Sequence, residues 1–149
     1  MKKSILALIA FSFLAPVTAS AHCQIPCGIY NDDNVIEGMH TDFVTIEKAS
    51  KTIIELSKDP AKNAHQLTRW IVNKEAHAQS IQDKVLNYFL AQRLKLPKTE
   101  AETETYLKKL GLCHKIIVTA MKCKQGTDAE NVAALHNQLH LFEDHFGSK

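Results

Sequence analysis

A strong excess of charge of either sign is missing from this chain. Its 149 residues carry 18 Lys and Arg against 16 Asp and Glu. The small excess sits at the start, in Lys2 and Lys3, so without residues 1–21 the balance is 16 against 16. No basic or acidic field is left to attract a nucleic acid or an anionic membrane, and neither partner is expected. Cysteine is scarce as well. Four residues are too few for a scaffold held by disulfides, and the apolar content can build a core without them. A long hydrophobic run is also lacking: residues 5–17, ILALIAFSFLAPV, are too short for a comfortable membrane span. No strand-like run, internal repeat, low-complexity tract or second domain is visible.

The short apolar run has a meaning of its own. It follows Lys2 and Lys3 and leads to Ala19-Ser20-Ala21, with small residues at the two positions a signal peptidase reads. That is the three-part plan of a secretory signal peptide. Signal peptidase is therefore an expected partner, cleaving after Ala21. The product is expected in the periplasm or outside the cell, with no membrane attachment. There is no twin-arginine pair, so export of an unfolded chain is expected. His22, rather than a small residue, precedes Cys23, which argues against lipidation. The mature chain then begins at His22 and has the size of one domain.

Four helices follow from apolar spacing. The first runs from about Asp33 to Ser57 with Ile36, Met39, Phe43, Ile46, Ala49, Ile53 and Leu56 on one face. Asp59-Pro60 ends it and starts the second, since proline suits a first helical turn. The second runs to about Leu94 through Ala64, Leu67, Ile71, Ala78, Ile81, Val85 and Tyr88, and Pro97 closes it. Thr99 with Glu102, and Thr127 with Glu130, read as capping boxes. Between them a third helix carries Tyr106, Leu110, Cys113, Ile117 and Ala120, with Gly126 at its end. The fourth has Val132, Leu135, Leu139, Phe142 and Phe146. The expected fold is all-α: residues 31–149 form an antiparallel up-and-down four-helix bundle, with an irregular metal-binding hook at residues 22–30.

Cys113 falls on the apolar stripe of the third helix. Cys123 lies ten residues on, roughly 1000° of rotation away, so the two cannot bridge within one straight helix. Cys113 reads as a small buried hydrophobe and Cys123 as a flanking thiol. His65 and His114 show no paired ligand spacing. His136 and His140 are four apart and could share a helical face, as metal ligands do, but no glutamate motif accompanies them.

The chemistry is concentrated in AHCQIPCGIY, residues 21–30. After cleavage behind Ala21, this stretch offers the α-amine and imidazole of His22, the amide of Cys23, and the thiolates of Cys23 and Cys27. Amine, amide and the two sulfurs can complete a plane, and mixed nitrogen and sulfur donors in a square plane suit Ni(II). Zinc prefers a tetrahedron and gains nothing from a plane. Pro26 stiffens the turn that returns Cys27 towards Cys23, and Gly28 lets the backbone pass close by. The competing reading is a Cys23–Cys27 disulfide in an oxidising compartment.

The nonapeptide HCQIPCGIY resembles the nickel-binding hook of nickel-containing superoxide dismutase, His-Cys-x-x-Pro-Cys-Gly-x-Tyr at a mature N-terminus. Every fixed position is present, with Gln24 where the family often has an acid. IEG, TRWIVNKEAHA and YFLAQRLK extend the likeness over the mature chain. The resemblance implies an oxidoreductase and antioxidant enzyme that disproportionates superoxide to dioxygen and hydrogen peroxide by Ni(II)/Ni(III) cycling. It implies one nickel per subunit, held by His22, Cys23 and Cys27, with Tyr30 screening the open face. Glu37 is the implied carboxylate orienting the His22 imidazole. His77 stands where the family places an arginine, and Tyr88 is a second candidate aromatic. It further implies a homohexamer whose subunits help enclose each hook. Two alternatives remain at this point: a periplasmic nickel or copper carrier without turnover, and a disulfide-stapled helical interaction domain.

Overall fold

The computed structural model describes residues 32–148. Helix α1 spans Asp33–Leu56, α2 Pro60–Asp83, α3 Glu100–Gln125 and α4 Ala129–Phe146. Among the described residues there is no strand. Each helix packs on the next in the chain, and α4 closes back on α1. With short connections this makes the expected antiparallel four-helix bundle. No described helix is long and apolar enough to cross a membrane.

The boundaries follow from local chemistry. Asp59 caps α2, its side chain accepting from the Lys62 amide at 3.2 Å, and Pro60 occupies the first turn. Thr99 caps α3 by accepting from the Glu102 amide at 3.3 Å. The reciprocal bond is displaced by one residue: the Glu102 carboxylate accepts from the Lys98 amide at 2.7 Å. At α4 the expected Thr127 box does not form. Asp128 caps the helix instead, accepting from the Glu130 and Asn131 amides at 2.7 and 3.2 Å. A carboxylate is a charged acceptor, favoured beside the positive end of a helix.

The second helix is not uniform, as the sequence had implied. After Asp83 the chain widens into a π-helical segment, Lys84–Arg93, closed by Leu94 N–H donating to the Phe89 carbonyl at 2.8 Å. Its Val85, Tyr88 and Phe89 are buried. Phe89 meets Phe142 edge-on at 4.6 Å between ring centroids, and Phe142 stacks on Phe146 at 4.4 Å. Ile36, Met39, Phe43 and Ile46 of α1 and Leu135, Leu139 and Phe142 of α4 fill the same core.

Two expectations about the core are corrected. On α3 the fully buried isoleucine is Ile116, with Ile117 only partly buried, and Cys123 belongs to the core instead of flanking it. In the first half of α2, Ala64 and Ile71 are exposed, and the first buried residue of the helix is Lys74. Its ammonium donates to the carbonyls of Cys123, Lys124 at 3.0 Å and Gly126 at 2.6 Å. Those carbonyls close the C-terminal end of α3, where orphan acceptors and the negative end of the dipole both favour a cation. Burial lowers the Lys74 pKa from its ordinary value, with the electrostatic influence of Cys123 and Glu75 acting against that shift.

Candidate metal centre

His22, Cys23, Cys27 and Tyr30 lie outside the described residues. The bundle end that follows them in the chain is described, and it begins at Asp32. This carboxylate is buried, 7% exposed, at the N-cap of α1, yet it caps nothing with its side chain. One oxygen accepts from the Tyr88 hydroxyl at 2.6 Å. The other accepts from Arg93 Nε at 2.9 Å and Nη2 at 2.6 Å. Charge-assisted bonds of this kind are short and strong.

The π-helical segment explains how one carboxylate reaches both donors. In an α-helix, residues five apart diverge by roughly 140° around the axis. The wider i→i+5 turn brings such residues towards one side. Tyr88 and Arg93 are five apart and converge on Asp32, so the residue two positions after Tyr30 is fixed to the bundle. Sequence reasoning placed Tyr88 without its partner and missed Asp32 and Arg93. On an α-helical count they do not share a face.

His77 stands in a second polar group between α1 and α2. Its Nδ1 lies 2.7 Å from Asp42 Oδ1. The other Asp42 oxygen accepts from Ser80 Oγ at 2.7 Å and from Lys84 Nζ at 2.5 Å. Asp42 is 6% exposed, so these donors satisfy a buried carboxylate. His77 therefore has a charged partner, held on the neighbouring helix. Glu37 is exposed on α1. It lines a cleft of about 280 Å³ together with Asp33, Ile36, His40 and Glu143. Glu37, His77 and Tyr88 thus occupy three different settings at the surface, between α1 and α2, and beneath the start of α1.

The thiols divide into two pairs. Cys113 and Cys123 are free and buried. Burial first of all pushes each thiol up to about 11, so both stay protonated near neutrality. A protonated thiol is a poor nucleophile and a poor ligand. Cys23 and Cys27, the thiols of the expected donor set with the His22 amine and imidazole and the Cys23 amide, lie outside the described residues; donors of those types suit nickel.

A family model described as nickel-containing superoxide dismutase matches residues 17–149, and so takes in the hook sequence together with the whole bundle. The chain belongs to the nickel-containing superoxide dismutase family. At family level it is therefore a nickel-containing oxidoreductase with superoxide as substrate. Comparison with curated proteins and with solved structures gives no match.

Proposed function

We propose that this chain disproportionates superoxide at one nickel per subunit, held by the hook at residues 22–30. The observation that carries this reading is the separation of the thiols. Two are buried and protonated in the core, which leaves Cys23 and Cys27, beside His22, for the metal. Bound nickel supplies the one-electron steps between Ni(II) and Ni(III) by which one superoxide is oxidised and another reduced.

The chain's own residues do the rest. The Cys23 and Cys27 thiolates and the deprotonated Cys23 amide place negative charge where an oxidised cation needs it. The His22 amine and imidazole would be further nitrogen donors to the nickel. Glu37 would orient that imidazole, and Tyr30 would screen the site so that a small anion enters and larger thiol reagents do not. Asp32, two residues after Tyr30 in the chain, is tied to Tyr88 and Arg93.

Residues 1–21 act as the export signal, and the mature protein works in the periplasm or outside the cell as a homohexamer.

The test is metal content and dismutase activity of mature protein starting at His22. Wild type is expected to hold one nickel per chain and to be active. Cys27→Ser is expected to lose nickel or activity down to background with its helicity kept, and Cys123→Ser to keep both. Full activity in Cys27→Ser would remove the hook from the mechanism. A nickel-loaded wild type without activity would make the protein a carrier.

A further inference from the structure

We infer that His40, His140 and Glu143 form a second metal site, built for a divalent ion of the zinc class and sharing no donor with the hook. His40 comes from α1, and the other two from the last turns of α4. Their ligand atoms all lie within 4.8 Å of one another. Glu143 Oε2 is 3.3 Å from His40 Nε2 and 3.8 Å from His140 Nδ1. Donors about 2.0–2.2 Å from a shared tetrahedral ion stand roughly 3.3–3.6 Å from each other. Both histidine–carboxylate separations are close to that spacing, and the two histidine nitrogens lie within 4.8 Å of each other.

Two further observations point to a ligand. His40 Nε2 is shielded from solvent and makes no hydrogen bond, although a carboxylate oxygen stands 3.3 Å away. A buried nitrogen left without a partner is costly. A cation between it and Glu143 satisfies both groups. The second observation concerns His140. Its other ring nitrogen, Nε2, lies 3.0 Å from His136 Nε2, and the His136 ring stacks on Phe43 at 4.6 Å. An imidazole held through one nitrogen presents the other as a metal donor, the usual arrangement around a bound ion.

The donor types select the metal. Two imidazoles and one carboxylate match zinc sites that keep a fourth position open. The absence of sulfur disfavours Cu(I), and a site that is not all oxygen disfavours Ca²⁺ and Mg²⁺. Space for a fourth ligand exists in the adjoining cleft beside Asp33 and Glu37. The site lies where Ser148 N–H already donates to Asp33 Oδ1 at 2.8 Å. A bound ion therefore staples the start of α1 to the end of α4. The bland reading is a simple His40–Glu143 ion pair, which needs neither His140 nor His136.

The experiment uses nickel-loaded, tag-free mature protein titrated with zinc sulfate, with zinc and nickel counted in the desalted product. One zinc per chain is expected with nickel retained, together with a rise in thermal midpoint. His140 is exposed, so His140→Ala should keep its helicity while binding zinc at least about tenfold more weakly and losing the midpoint rise. His136→Ala should weaken zinc by about tenfold, the ordinary effect of removing a partner that orients a ligand. No zinc uptake, uptake unchanged in His140→Ala, or zinc replacing nickel one for one would each overturn the site. Because zinc and nickel are counted separately, failure here is distinguishable from failure of the hook.

Discussion

At Asp32 a carboxylate occupies the N-cap position of α1 yet bonds Tyr88 and Arg93 rather than capping the amides of the first helical turn. The amides at a helix start can take water, whereas the buried Tyr88 hydroxyl and the half-buried Arg93 guanidinium each give the Asp32 carboxylate a short bond. Tyr88→Phe removes one donor from the buried Asp32 carboxylate and should cost about 1–3 kcal/mol. Urea unfolding monitored by helicity measures it, and an unchanged midpoint would mean that water replaces the hydroxyl. The thiols give a second residue-scale prediction. Burial raises Cys113 from 9.0 to about 11. Between those values the unfolded chain has released the proton and the folded chain has not, so stability is full below about pH 9 and falls as pH rises towards 11. Cys113→Ala should flatten that decline in denaturation series on either side of the window. Burial of Cys113 was legible from its place on an apolar stripe. Burial of Cys123 was not, because its place at the helix end suggested a flank until Lys74 and the α3 terminus enclosed it.

Elements were more legible than their ends. Apolar spacing located all four helices, and proline and threonine signals placed the starts of α2 and α3. What spacing could not show was a change of helical period. Val85, Tyr88 and Phe89 fit an α-helical stripe nearly as well as a π-helical one, and only the convergence of Tyr88 and Arg93 on Asp32 tells them apart. The first half of α2 was misread for a related reason: Ala64 and Ile71 have core-like chemistry but are exposed, and burial begins only at Lys74. Lys74 from α2 closes α3 by donating to three carbonyls near its end. Lys74→Met keeps the length and apolar stem of the side chain but leaves those carbonyls without their donor. The expected loss is about 1–3 kcal/mol, read as a lower thermal midpoint, with amide exchange quickened in the last turn of α3 and not in the middle of α1. A stable variant with unchanged exchange would show that solvent closes that helix end unaided.

At the scale of the whole molecule, export and site formation are proposed to be one event. The α-amine of His22 exists only after cleavage behind Ala21. Before that, the same nitrogen is a planar peptide amide, weakly basic and conjugated to its carbonyl, and the preceding chain blocks its approach to a metal. The bundle does not depend on that step: its core is drawn from α1, the end of α2 with its π-helical continuation, α3 and α4. A chain carrying one methionine before His22 should therefore fold to the same helicity but lack normal nickel coordination and dismutase activity. Removing that methionine proteolytically, then adding nickel under reducing conditions, should restore both. Bound nickel and activity measured before and after removal decide the matter. Equal activity in the two forms would show that the amine is not a ligand, and the coupling of export to activation would have to be abandoned.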